Sequence, residues 1–546
     1  MLARLLAQWR ARWRGAPRIP GALAGVADAV QRINAGQQAE REGRLGDALE
    51  NYEEGLEEFP ESAELNAMHG NVLRAMGRPD EAVAAYRKAC ELKPGLVAAW
   101  YNLALTEHGL GRAVTAEEAY REALRLAPDF SRGYSSLLCL IGMGQAGGRQ
   151  RTPQEVLGEH RAWAARYADP LQKDLKPAAN SREPGRRLRI GYVSADLRYH
   201  AIACFVEPIL EHHDRAGFEI LCYDNSETDD GTKRRLRGLA DGWRPIAAME
   251  DAAVAELIRE DRIDLLVDLG GHTEGNRLLV FARKPAPLQI TYLGYPNSTG
   301  LSAMDYRLTD FAADPPGTSE DCYAERLLRL PHSMWCYRPF DDMPEVQPRE
   351  AGDAVVFGSM NGCSKLSGEI LALWARLLRE VPASRLLLAA VPPGSAQQRL
   401  RETFTREGIA AERIECAPWL DNAEFWKLHH RIDVALDSYP MNGGTTTCES
   451  LWMGVPVVTL KGSTFGSRAG CSLLTAAGFP QWITDSPAEF LQTAAALARD
   501  ADGRASLRQG MRDALRHSAL MDAAGFTRDL EALYREAWRA WCASGG

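Results

Sequence analysis

"DVALDSYPMNGGTTTCESLWMGVPVVTL", residues 433–460, sets two short apolar runs around a turn-rich loop, three consecutive threonines and one carboxylate. Residues 433–437 read as a short buried strand. Ser438, Pro440, Asn442, Gly443 and Gly444 are turn chemistry, which no regular element survives. Residues 445–453 suit a short helix closed by Gly454 and Pro456, and 455–460 a second strand. Strand, glycine loop, helix and strand is how α/β proteins bind phosphates, because free N–H groups and the positive dipole end at a helix start favour an anion. The glycines, Gly444 among them, let backbone approach the ligand, and the hydroxyls of Thr445 and Thr446 add donors. Glu449 stands four residues after Thr445 and shares its side of the first turn. A carboxylate there cannot hold phosphate, but it can accept hydrogen bonds from ribose hydroxyls. Two readings stand on this stretch alone: a nucleotide site, or an ordinary threonine-capped helix.

The remaining chain narrows the choice. At 546 residues it has room for about three to four domains. Its hydrophobic content of 45% and charged content of 25% are those of a soluble globular protein. A net charge of −9 argues against a general nucleic-acid binder. No apolar run approaches a membrane span. The opening "MLARLLAQWRARWRGAPRIPG" is basic and amphipathic and lacks the apolar core and cleavage site of a signal peptide, so residues 1–27 read as a basic leader. Eleven cysteines stand singly with no CxxC pair, which fits reduced thiols and a cytoplasmic location. Cys448 is expected to be a small buried hydrophobe. No His/Asp/Glu cluster has metal-ligand spacing, and no metal or other cofactor is expected.

Residues 28–128 repeat themselves. Pro60, Pro94 and Pro128 fall 34 residues apart, and Tyr52, Tyr86 and Tyr120 keep step, as do Ala48, Ala82 and Ala116, and Gly43, Gly77 and Gly111. That period, with small residues at helix contacts and a proline after the second helix, is the tetratricopeptide signature. In the third copy Trp100, Leu103, Ala104, Gly111, Ala116, Tyr120, Ala123 and Pro128 occupy the expected slots. Residues 129–186 continue as a degenerate helical repeat around a glycine-rich break, then a linker.

After Arg187 the texture changes. "LRIGYVSADL", "EILCYDNS", "DLLVDLGG", "LQITYLGYP" and "YRLTDF" are apolar runs ending in polar or glycine turns, with helical stretches between them. A second series follows in "AVVFGSMN", "SRLLLAAVPP", "ERIECAPW", "DVALDSYP" and "VPVVTLKG". These predict two tandem doubly wound domains, 187–348 and 349–546, facing a cleft at the carboxyl ends of their strands. The last stretch, "FTRDLEALYREAWRAWC", is expected to pack back on the core as a closing helix.

Tetratricopeptide repeats joined to two such domains, with "RIGYVSADLRYHA", "RKPAPLQITYLGYPNSTGL", "FGSMNGCSK" and "NGGTTTCESLWMGVP", resemble the O-linked N-acetylglucosaminyltransferase/SPINDLY family. The resemblance implies the two-domain GT-B fold and metal-independent, inverting transfer of a sugar to serine and threonine hydroxyls of proteins. It implies N-acetylglucosamine from UDP-N-acetylglucosamine, with acceptor proteins bound through the repeats. By the same resemblance Lys365 neutralises the diphosphate, Thr445 and Thr446 hold it, and Glu449 holds the ribose. His200 in "DLRYHA" matches the active-site histidine, as general base or as sugar-positioning donor. His272 and the loop 294–300, with Tyr295 and Pro296, are expected to line the sugar or acceptor side. His429 and His430 read as solvent-facing helix residues.

The match has departures. Animal members carry glutamine where this chain has Gly362 and histidine where it has Gly444. Phe425 and Leu428 replace a histidine and an arginine near the base and phosphates. "TTTCESLWMGVP" and "GYPNSTGL" are nearer plant SPINDLY, which implies GDP-fucose as the alternative donor. A repeat scaffold that binds without catalysis is the third reading.

Overall fold

The computed structural model describes residues 24–144, 151–349 and 354–544. The leader as far as residue 23 and the glycine-rich break after Gly144 lie outside the described residues. Helices Ala24–Arg41 and Leu45–Glu58, Ala63–Ala75 and Pro79–Leu92, and Val97–Gly109 and Ala113–Leu126 form three hairpins. Gly43, Gly77 and Gly111 end the first helix of each at φ of 81°, 77° and 70°, a left-handed turn that only glycine makes cheaply. Tyr52, Tyr86 and Tyr120 are fully buried between neighbouring helices. Burying such a side chain contributes about 1.5–3 kcal/mol, available only when hairpins stack. Helices Ser131–Gly142 and Pro153–Trp163 complete the solenoid, the latter opening on a capping box between Thr152 and Glu155.

The first α/β lobe holds strands β1 (Leu188–Ser194), β2 (Phe218–Asp224), β3 (Gly242–Pro245), β4 (Leu265–Asp268), β5 (Leu288–Thr291), β6 (Tyr306–Asp310) and β7 (Arg326–Leu330). They form one parallel sheet in the order β3-β2-β1-β4-β5-β6-β7. The second lobe holds β8 (Val356–Ser359), β9 (Arg385–Leu388), β10 (Ile414–Cys416), β11 (Val434–Leu436), β12 (Val457–Leu460) and β13 (Ile483–Thr484). Its order is β10-β9-β8-β11-β12-β13, again all parallel. Central strands are buried on both faces, which is why they read as continuous apolar runs. The strands that sequence reading did not find, β3, β7 and β13, are all sheet edges. β3 and β7 are half-exposed and β13 has two residues, so none carries that run.

The closing helix, Ala523–Ala543, leaves its own lobe and packs on the first. It buries Phe526, Leu530, Tyr534 and Trp538. His213 donates to Glu531 at 2.8 Å, and Arg535 donates to the Gly217 carbonyl at 3.2 Å. His429 and His430 are not solvent-facing: they are 0% and 9% exposed. A tight turn, Leu428–Arg431, replaces the helix there and breaks the period that would have turned them outward. The His429 ring nitrogens lie 3.0 Å from the Trp426 carbonyl and 3.2 Å from the Ser450 hydroxyl. Among the described residues no helix is long and apolar enough to cross a membrane.

Candidate active site

Loops from the carboxyl ends of both sheets meet between the lobes. The Ser472 hydroxyl donates to Asp310 at the end of β6, and Arg468 Nη2 donates to the Ala312 carbonyl at 2.8 Å. Asn422 Nδ2 donates to the Tyr199 hydroxyl at 2.9 Å, which brings the loop after β1 against the second lobe. A Cβ added to Gly444 would lie 3.8 Å from the Trp335 ring of the opposite lobe.

Gly444 opens the helix Thr445–Trp452, and no side chain caps it. Among the described residues the amides of Thr445 and Thr446 have no acceptor, since the first helical bond runs from Thr447 back to Gly444. Two free N–H groups therefore stand at the positive end of a helix dipole. The Thr446 hydroxyl donates to Asn361 Oδ1 at 3.0 Å, and the Thr447 hydroxyl to the Gly443 carbonyl at 3.1 Å. Those hydroxyls leave no space for a side chain at Gly443, whose added Cβ would sit 2.6 Å from the Thr446 oxygen.

Lys365 ends the tight turn Cys363–Lys365 after β8 and is half-buried. Its Nζ donates to the Asn442 carbonyl at 3.2 Å. Burial lowers its pKa, and the nearby Asp437 charge opposes that. Asp437, at the end of β11, accepts the Gly443 amide at 2.7 Å and the Thr459 hydroxyl at 2.8 Å. Burial pushes its carboxyl up to about 6 despite those bonds and Lys365. The carboxylate thus shapes the glycine loop from behind and balances the lysine.

Glu449 is buried, and its Oε1 accepts the Trp426 indole N–H at 2.9 Å. Burial raises its carboxyl to about 7, with the indole bond opposing. His200, in the loop after β1, accepts the Ile202 amide on Nδ1 at 3.3 Å, and its Nε2 lies 3.7 Å from Asp196. Burial lowers the His200 pKa, Asp196 opposes and Arg198 adds to the lowering.

His272 and Tyr295 are placed differently from the expectation that they line the sugar or acceptor side. His272 and Tyr295 are 1% and 4% exposed, enclosed by the last repeat helices. His272 Nε2 donates to the Thr299 carbonyl at 2.9 Å, and Nδ1 lies 3.0 Å from the Ser135 hydroxyl. The Tyr295 hydroxyl donates to the Leu138 carbonyl at 3.0 Å and lies 2.7 Å from His160 Nε2. Helix Ser131–Gly142 covers these strand ends, so they serve the junction between repeats and sheet. Pro296 stays half-buried, and its neighbours Asn297 and Ser298 line a cavity of about 50 Å³ with Ile141 and Phe465.

Sequence reading passed over Asp196, Asn361 and Asp437. Each follows the end of a strand in a quoted motif, where an α/β sheet presents its ligand-facing groups. That position was the available signal.

The family model described as glycosyl transferase family 41 matches residues 171–343 and 345–530. A tetratricopeptide repeat model matches 33–96 and 67–129. A Petunia hybrida protein named probable UDP-N-acetylglucosamine–peptide N-acetylglucosaminyltransferase SPINDLY is 37% identical over 429 residues, 77% of this chain and 45% of its own length. An Arabidopsis thaliana protein named probable UDP-N-acetylglucosamine–peptide N-acetylglucosaminyltransferase SEC is 31% identical, over 66% of this chain and 38% of its own. The chain thus spans less than half the length of these plant relatives. A solved structure of a Thermobaculum terrenum O-GlcNAc transferase mutant is 35% identical with a TM-score of 0.86, covering 96% of this chain and 100% of that one.

Proposed function

The chain belongs to glycosyl transferase family 41, and we propose that it is a protein O-glycosyltransferase. In this reading it moves N-acetylglucosamine from UDP-N-acetylglucosamine to serine and threonine hydroxyls of proteins held by the repeats, inverting the anomeric centre without a metal ion. One observation carries the reading: the free amides of Thr445 and Thr446 stand at a helix start in the same loop system as Lys365, next to Gly444, which lies against Trp335 of the other lobe. An anion belongs there, and a nucleotide sugar's diphosphate supplies one.

The acceptor oxygen attacks the anomeric carbon, and its proton passes to solvent water as the new bond forms. The old bond's electron pair goes to the diphosphate, whose growing charge Lys365 and the helix-start amides stabilise. Asp437 holds the glycine loop that shapes the cradle. Glu449 accepts from the ribose hydroxyls. His200 acts as a hydrogen-bond donor to the sugar: its Nδ1 is occupied by the Ile202 amide, which leaves the neutral ring's proton on Nε2.

Calorimetry with UDP and with GDP, followed by labelled donors and a cell lysate, tests this. UDP binding with transfer to lysate proteins supports it. GDP binding with no UDP response replaces the donor by GDP-fucose, and silence with both nucleotides leaves a repeat scaffold.

A further inference from the structure

Lys365 is carried by a turn of three residues, and the repeats touch that turn directly. Inside the turn the Lys365 amide donates to the Gly362 carbonyl at 3.0 Å and the Leu366 amide to the Cys363 carbonyl at 3.2 Å. Its buried anchor is Cys363, whose thiol donates to the Gly109 carbonyl of the third hairpin at 3.3 Å. Burial pushes that thiol up to about 11, so it stays a donor. Two residues on, Gly111 lies against the same turn. A methyl there would come 3.0 Å from the Cys363 carbonyl oxygen and 3.1 Å from Arg399 Nη2. Arg399 sits on the second-lobe helix Ser395–Arg406 and donates to the Leu110 carbonyl. The repeat turn 109–112 is thus wedged between the lysine's turn and a helix of the nucleotide-side lobe.

Lys365 is a point charge on a flexible stem, and its attraction for a diphosphate falls with distance. Where its backbone sits decides how much of that attraction is used. We propose, resting on the diphosphate reading above, that the repeat turn 109–112 is a wall of the donor site. It positions Lys365 through Cys363, so the repeats set donor affinity as well as presenting acceptors.

The chain contains a matched pair that isolates this contact. Gly77 and Gly111 hold the same place in consecutive repeats, at φ of 77° and 70°. Alanine pays the same left-handed strain at either. Nothing lies within 4 Å of an added methyl at Gly77, whereas at Gly111 it presses on Cys363. UDP and GDP binding to the full chain is measured by calorimetry without acceptor, for the wild type, Gly77→Ala and Gly111→Ala.

Gly77→Ala is expected to bind as the wild type does, although both variants melt earlier. Gly111→Ala is expected to bind at least about twofold more weakly, the lower end of couplings between contacting residues. Equal affinities in the two variants overturn the proposal. Where Gly111→Ala does not fold, Cys363→Ala and Cys363→Ser decide: weaker binding in alanine with recovery in serine supports it, and unchanged binding in Cys363→Ala overturns it. A wild type that binds neither nucleotide removes the functional reading and this inference together. Binding that Lys365→Ala weakens and Gly111→Ala does not removes the inference alone.

Discussion

The carboxylate of Asp80, in the second tetratricopeptide hairpin, accepts the backbone N–H of Ser395, in the second α/β lobe, at 2.8 Å. Ser395 begins the helix Ser395–Arg406, so a residue 315 positions earlier supplies that helix with an acceptor for a free N-terminal amide. Arg112 donates to the same carboxylate at 2.9 Å and also reaches the Ser395 hydroxyl. Burial pulls the Asp80 carboxyl upward, but the Ser395 bonds and the Arg112 charge outweigh it and hold it below the usual range.

Replacing Asp80 should therefore loosen a junction rather than a site. Asp80→Ala is expected to cost about 1 kcal/mol, the usual worth of a helix-start acceptor. The loss should appear as faster amide exchange in the first turn of Ser395–Arg406, with Asp80→Asn in between. Unchanged exchange there would mean that the repeats do not brace this helix.

On the proposed reading, Lys365→Ala removes the cation that stabilises the departing diphosphate. A fall in kcat of about a hundred- to a thousandfold is expected, the range for one lost charge-stabilising donor. Lys365→Arg should not restore it, because a planar guanidinium does not fit a half-buried ammonium's place. Steady-state kinetics with purified acceptor checks both, and full turnover in Lys365→Ala would remove the lysine from the mechanism.

Burial raises the Glu449 carboxyl to about 7, and in the proposed role only its carboxylate form would accept two ribose hydroxyls. Nucleoside diphosphate affinity should rise with pH from about 6 to about 8, by at most about tenfold per unit below the pKa. Calorimetry across that range reads it. In Glu449→Gln the dependence should flatten, and a slope that survives the substitution would belong to another group.

His160 and His272 are buried between the repeats and the first sheet. Burial lowers His160 to about 4, with its bond to the Val156 carbonyl opposing, and lowers His272 well below the ordinary range. An unfolded chain titrates its histidines near about 6.5. Between those values the unfolded state binds protons that the folded state refuses, so the stability is whole above about 6.5 and is lost as pH falls toward about 4. Urea midpoints measured at neutral pH and at about pH 5 should differ accordingly. His160→Asn should reduce the difference, and midpoints that do not move would show that these rings leave the junction before they titrate.

Much of the architecture was legible in order along the chain. The period of 34 names the hairpins because each one meets the same neighbours, so the same slots demand the same residue types. The central strands announce themselves because both faces are buried. β3, β7 and β13 stayed hidden, since an edge strand takes its identity from the neighbour it pairs with. The glycine loop and Thr445 were visible for a local reason: turn chemistry and helix start are settled within a few residues.

Other features depended on what the fold lays on top. His272 and Tyr295 end strands as ligand-facing groups do, yet helix Ser131–Gly142 seals them. His429 has the spacing of an exposed helical residue and lies under Ser450. Asp437 became part of the site only when its carboxylate met the Gly443 amide.

The sequence by itself determined the repeats, the two parallel sheets and the place of the helix start, since these follow from short-range periodicity and turn chemistry; that its first two amides stay uncapped was decided by the fold. Tertiary structure alone decided which charges share one space. It carried the closing helix to the first lobe and set Asp80 on Ser395, and it laid Gly109 and Gly111 against the turn that bears Lys365. Such contacts join residues hundreds of positions apart, and their energy exists only once burial has removed the water between them.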